Sequence, residues 1–126
     1  MDNEEVRLVV VDDDVDTVDV LAELLQLEGY SVRVGHDAAQ ALTLLADFSP
    51  VGVLLDLGLP DLDGLEVARQ LRADCDSSLV LVAVTGRASE KEKLAAQAAG
   101  FDFVLVKPVC PRVLKTIFPP TSPPAA

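Results

Sequence analysis

The chain has 126 residues, half of them apolar and only 4% aromatic, which is enough for one domain around an aliphatic core. Its net charge of −11 is unevenly spread: residues 1–63 carry fifteen Asp and Glu against two arginines, residues 64–126 six acids against eight bases. A field this acidic repels nucleic acid and anionic membranes and attracts cations or basic partners, so direct DNA binding is not expected.

Five short aliphatic runs, at residues 6–11, 30–34, 51–55, 79–84 and 103–106, alternate with amphipathic stretches. Each is four to six residues long and rich in Val or Leu, the pattern of a strand buried on both faces. After the first run, Val15, Val18, Ala22 and Leu25 form one stripe at helical spacing, with Asp16, Asp19 and Glu23 turned away and Gly29 as a left-handed stop. A second helix opens at Asp37-Ala-Ala-Gln40 and a fourth at Ser89-Glu-Lys-Glu92, both with capping-box spacing, and Gly100 closes the fourth. A third helix is expected over 64–73 and a short fifth over 111–117. Five strand–helix units imply an α/β fold, doubly wound, with a parallel sheet and right-handed crossovers. The Pro-rich segment 119–126 cannot continue a helix and is expected to be extended or disordered, which leaves 1–118 as the folded domain.

No run reaches the roughly 20 apolar residues of a membrane helix. Cys75 and Cys110 are too few for a disulfide scaffold or a four-ligand zinc site, and the acidic start is unlike a secretory signal. A reduced, cytoplasmic protein is expected.

In an open parallel sheet, ligands bind beyond the carboxyl ends of the strands. The residues after each run are Asp12-Asp13-Asp14, Gly35-His36, Asp56, Thr85-Gly86 and Lys107-Pro108. Carboxylates gathered in one crevice repel: at about 4 Å and an effective dielectric near 20, one pair costs on the order of 4 kcal/mol. An all-oxygen acidic site without His or Cys ligands suits a hard divalent cation, Mg²⁺ before Zn²⁺. Lys107 adds a positive charge and Thr85 a hydroxyl donor. Cation, ammonium, hydroxyl and carboxylate together suit a phosphoryl group, with a carboxylate as nucleophile. Singly, each piece has a plainer reading: Asp12, Asp13 and Asp14 as acids at a helix start, Asp56 as a turn residue, Thr85 as a local cap, Lys107 as a surface lysine. Their combination outweighs those readings. His36, the only histidine, reads as a loop residue, and Cys75 and Cys110 as bystanders.

Asp12-Asp13 after a Val run, Asp56-Leu-Gly-Leu-Pro60-Asp-Leu-Asp-Gly64, Thr85-Gly86 and Lys107-Pro108 occur in an order and at spacings that resemble the receiver domain of two-component response regulators over residues 6–118. The resemblance implies a flavodoxin-like (βα)5 sheet in the order 2-1-3-4-5 and Asp56 as phosphoacceptor. It implies Mg²⁺ held by Asp13, Asp56 and the Gly58 backbone carbonyl, with Asp12 acting mainly through a bound water. Lys107 would pair with Asp56 at rest and with the phosphoryl group afterwards, Thr85 would bond the phosphoryl group, and the Lys107–Pro108 peptide would be cis. The implied donor is a phosphohistidine on a sensor histidine kinase or histidine phosphotransfer protein, docking over the first helix near Val15 and Val18. Output or homodimer contacts are expected on the fourth helix, fifth strand and fifth helix, where Arg87, Lys91, Lys93, Arg112 and Lys115 lie. Such a chain is no enzyme beyond its own phosphorylation and dephosphorylation.

Two departures from the family pattern stand out. Val104 stands where the switch aromatic is found, and strand alternation aims Phe103 at the opposite face. Gly58 and Arg87 occupy positions that tune water access to the phosphoryl group, and they imply slow hydrolysis. Gly-Leu-Pro in the acceptor loop, Val-Thr-Gly after the fourth strand and Val-Lys-Pro-Val at the fifth resemble receivers fused to hybrid sensor kinases. Two other functions compete. Asp12-Asp-Asp14 also fits the Asp-x-Asp start of haloacid-dehalogenase-like phosphatases, with Asp12 as nucleophile and Asp14 as acid/base, although the chain lacks a cap and a late acidic pair. Val104 instead suits a receiver-like docking domain that acts without phosphorylation.

Overall fold

The structure, a computed structural model, describes residues 6–12, 14–57, 64–74, 79–86, 89–107 and 109–119. Expectations attached to Asp13, Gly58, Pro60, Cys75, Arg87, Pro108 and residues 120–126 lie outside the described residues. Five parallel strands, β1 (Arg7–Val11), β2 (Ser31–Gly35), β3 (Gly52–Asp56), β4 (Val80–Thr85) and β5 (Phe103–Val106), line up as β2-β1-β3-β4-β5. They alternate with α1 (Val15–Leu27), α2 (Ala38–Phe48), α3 (Gly64–Asp74), α4 (Glu90–Ala99) and α5 (Pro111–Ile117).

Because successive strand residues point to opposite faces, the sheet divides its side chains between two cores. Val9, Val11, Val53, Leu55, Leu81 and Ala83 pack with Ala41 of α2, Val67 and Leu71 of α3, and Ala96 of α4. Leu8, Val10, Leu54, Val82 and Val84 pack with Val18, Ala22 and Leu25 of α1 and Leu114 of α5. Burial on both faces holds for β1 from Leu8 onward and for all of β3, but not for the edges. Arg33 of β2 and Phe103 and Val106 of β5 are exposed, since an edge strand has one neighbour and less helix cover. Val104 packs toward the α2–α4 core and Leu105 toward the α1–α5 core, so Phe103 lies on the face opposite Val104.

The helix ends follow local chemistry. Asp14 N-caps α1 by accepting from the Thr17 N–H, and Gly29 takes the left-handed conformation just past its end, as Gly100 does for α4. Ser89 and Glu92 form the reciprocal box on α4. The box on α2 is only half made: Asp37 accepts from the Gln40 N–H, but the Gln40 side chain bonds the His36 N–H, one residue earlier than the pattern requires. Val15 is the exception on the α1 stripe. It is 49% exposed, because the first turn projects past the end of the sheet, while Val18, Ala22 and Leu25 are buried.

The far end of α5 is fastened across the sheet. The Tyr30 hydroxyl donates to the Phe118 and Leu114 carbonyls, the Phe118 ring lies over Gly52, and Lys115 pairs with Glu28. Lys115 therefore faces α1 and is not part of the basic surface expected beside α4. No described helix is long and apolar enough to cross a membrane.

Candidate functional site

The order β2-β1-β3 places a crevice at the carboxyl ends of β1 and β3, where connections leave in opposite directions. The register sets Val11 beside Leu55, so the next residues, Asp12 and Asp56, emerge side by side about one strand spacing, roughly 4.8 Å, apart. Asp12 is held by its N–H to the Gly35 carbonyl, and the Leu57 N–H bonds the Val84 carbonyl just past Asp56. Both aspartates are 6% exposed, and they are the buried polar side chains among the described residues.

Lys107 follows β5, two strands away from β3, and its N–H bonds the Thr85 carbonyl at the end of β4. Its long side chain spans the end of β4, and the Nζ lies 3.0 Å from Asp56 Oδ2 and 3.1 Å from Asp12 Oδ2. The other Asp12 oxygen, Oδ1, accepts the Asp14 N–H at 3.0 Å. One ammonium thus bridges two buried carboxylates. Burial alone would raise the Asp12 pKa, but the Asp14 N–H and the Lys107 ammonium outweigh it and hold the carboxyl below its ordinary value. Lys107 shows the mirror case: burial disfavours its charge, and hydrogen bonds to Asp56 and Asp12 push its pKa up.

Asp12, Asp56 and Lys107, three of the residues singled out in the sequence, are therefore in direct contact, with Thr85 next to them in the β4–β5 ladder. Asp13 and Gly58 fall outside the described residues. Among the described residues no group of three or more His, Cys, Asp or Glu side chains could hold a metal ion. Asp14 is exposed and caps α1 through Oδ1, outside the contact of Asp12, Asp56 and Lys107. Val18 is 1% exposed and unavailable to a docking partner, whereas Val15, Val20 and Leu24 are exposed.

Sequence reasoning missed Arg72. Its guanidinium bonds the Gly100 and Leu79 carbonyls and the Asp102 carboxylate, and Asp102 also accepts the Leu81 N–H. This cluster ties α3 to the end of α4 at the edge of the sheet remote from Asp56. A basic residue in the last turn of a helix is too common a signal to have revealed it.

A doubly wound parallel sheet in this order, with two buried carboxylates and a lysine at its switch point, defines a flavodoxin-like protein. The chain belongs to the response regulator receiver domain family of two-component systems, which it matches over residues 8–118. Proteins named response regulator MprA from Mycobacterium bovis and Mycobacterium tuberculosis are 45% identical over 103 residues, which is 82% of this chain and 44% of theirs. The chain thus spans less than half the length of these relatives. The CheY-like receiver domain protein of Methanospirillum hungatei JF-1 superposes with a TM-score of 0.82 at 30% identity, over 90% of this chain and 91% of that one. A Burkholderia pseudomallei response regulator protein, solved with a phosphorylated aspartic acid, a calcium ion and citrate, gives a TM-score of 0.80 at 28% identity, covering 88% of this chain and 64% of that one.

Proposed function

We propose that Asp56 is the phosphoacceptor of this receiver and that its modification reshapes a protein-interaction surface. The convergence of buried Asp12 and Asp56 on the one Lys107 ammonium carries the reading. A carboxylate oxygen of Asp56 attacks the phosphorus of a phosphohistidine. The new O–P bond forms as the P–N bond breaks, and the electron pair leaves on the donor imidazole, which takes up a proton. Lys107, a third exposed at its side chain, is free enough to leave the carboxylate and then pair with the phosphoryl oxygens.

Asp56 supplies an oxygen ligand of the type a hard cation takes, the set would be completed by Asp13 and the Gly58 carbonyl, and Asp12 would act mainly through a bound water. Mg²⁺ held there would neutralise the acidic cluster and the phosphoryl charge. The added group brings about −1.5 to −2 charge to the end of β3. Thr85 ends the neighbouring strand, and a shift of its hydroxyl toward that charge would draw on residues 86–89 and hence on α4. The Ser89–Glu92 box makes the start of α4 a rigid turn that follows as a unit. That route needs no aromatic at Val104, a half-buried side chain packed on the α2–α4 core.

The donor, a histidine kinase or phosphotransfer protein, would dock over α1 through exposed Val15, Val20 and Leu24, with Asp16, Asp19 and Glu23 attracting a basic surface. Output or homodimer contacts would use the α4–β5–α5 face through Lys91, Lys93 and Arg112. The motif wording in the acceptor loop and at β5 supports a hybrid-kinase context. The relatives above are named response regulators, which supports instead a receiver that acts in a response regulator separate from the kinase.

Intact mass after incubation with acetyl phosphate and Mg²⁺ tests the reading, with Asp56→Asn beside wild type. One Mg²⁺-dependent phosphoryl adduct, absent from Asp56→Asn, is expected. An adduct that persists in Asp56→Asn would overturn it in favour of another acceptor such as Asp12, and no adduct from either acetyl phosphate or a phosphorylated kinase would overturn it in favour of a docking role.

A further inference from the structure

The α1–α5 face of the sheet is covered unevenly, because α1 has thirteen residues and α5 only seven. Leu114 and Phe118 cover the half near Gly52, where the Tyr30 hydroxyl and the Lys115–Glu28 pair fasten them. Among the described residues, the half toward the carboxyl ends of the strands is covered more thinly, by α1 and Val109. There a cleft of about 650 Å³ runs between α1 and the side chains of Lys107 and Val109. Val10, Leu54 and Val84 form its floor, and Leu21, Leu24 and Val109 its walls. Asp12, Lys107, Asp16 and Thr17 line its polar end.

We infer that this cleft binds a small amphipathic cation, an aliphatic chain ending in an ammonium or guanidinium group. Its size and apolar lining with a few polar groups at one end are those of a small-molecule site. The floor is the sheet itself, where Val10, Leu54 and Val84 are only 1–6% exposed, a narrow opening that suits an alkyl chain better than a second folded surface. The charge of the polar end selects the head group. The Lys107 ammonium is already shared between Asp12 and Asp56, whereas the exposed Asp16 carboxylate has no ion pair among the described residues. A net charge of −11 adds to the preference for a cation. A second copy of the chain is a poor occupant, since it would bring two sets of Asp16, Asp19 and Glu23 together. The site goes beyond phosphorylation and is present in the unmodified protein.

Methyl NMR of the full chain, titrated with octylammonium, octanol and octanoate below their aggregation limits, tests the inference. Octylammonium is expected to bind tightest and octanoate weakest, with shifts centred on Val10, Leu54, Val84 and Val109. Asp16→Asn lies on an exposed helix surface and should weaken octylammonium about two- to fivefold while leaving octanol unchanged. Val109→Trp, or Leu24→Gln if the tryptophan disturbs folding, should weaken all three probes. Octanoate binding as tightly as octylammonium would overturn the inference. So would shifts spread over exposed Leu27, Val51 and Val113, or saturation by a basic amphipathic peptide helix with no response to octylammonium, which would make the cleft a protein-docking groove.

Discussion

Gly52→Ala should destabilise the protein through a single ring. The Gly52 backbone is not among the positive-φ glycines, so alanine can adopt it without strain. A methyl there, however, would lie 2.3 Å from both Cε1 and Cζ of Phe118 and 3.2 Å from Leu8 Cδ2. Carbon contacts settle at about 3.5–4.0 Å, so the ring has to retreat by about 1.2 Å or more. It cannot do so cheaply: Phe118 is 5% exposed, and its carbonyl holds the Tyr30 hydroxyl. Overpacking of this kind costs about 1–3 kcal/mol. Phe118→Ala alone should cost about 3–5 kcal/mol. With the ring gone, only the 3.2 Å contact with Leu8 Cδ2 remains, a methyl that can move a few tenths of an ångström into the vacated space, and Gly→Ala should then stabilise by roughly 0.4–1 kcal/mol through the unfolded chain. The double variant should therefore be more stable than Phe118→Ala, with a coupling of about 1.5–4 kcal/mol against additivity. Urea unfolding followed by far-UV circular dichroism reads this as midpoint shifts at constant slope. Effects that add within about 0.5 kcal/mol would refute the reasoning, because they would mean that the ring and the glycine do not share the space.

Tyr30 is the only tyrosine, and its burial, helped by the Glu28 charge, raises its pKa above the ordinary value near 10. A raised folded pKa contributes stability that is fully present below pH 10 and lost as pH rises through the folded value. Phenolate absorbance should thus rise at higher pH than for a free tyrosine, and Tyr30→Phe should flatten the alkaline part of the stability curve; phenolate forming near pH 10 with the fold intact would contradict this. Lys107→Met should cost about 1–3 kcal/mol without metal, less than a fully buried pair because the lysine is a third exposed. The same change should tighten Mg²⁺ binding roughly tenfold by calorimetry, since an ammonium no longer competes for Asp12 and Asp56; unchanged or weaker binding would count against the shared-cation site. Ser89→Ala should cost about 1 kcal/mol and speed amide exchange in the first turn of α4, with α1 unaffected.

Much of this architecture was legible along the chain. The Val- and Leu-rich runs, the left-handed glycines after α1 and α4, and the Ser89–Glu92 box depend on residues within a few positions of one another, and such patterns are visible in one dimension. So were Asp12, Asp56 and Lys107 as candidates, because each directly follows an aliphatic run. Their meeting was not visible in the runs themselves. It depends on β3 lying beside β1 and on a lysine spanning the end of β4, a pairing of residues 51 apart that only strand order and register decide. The same long-range packing buries Val18 but leaves its stripe-mate Val15 beyond the sheet edge, and sends the Gln40 side chain to His36. It also decides that Tyr30 reaches across 88 positions to the Phe118 carbonyl and that a seven-residue α5 leaves a cleft open beside α1. Periodicity states which side of an element is apolar. What covers that side, and where the cover runs out, follows from the lengths and positions of elements far apart in the chain, and those are settled only when the layers pack.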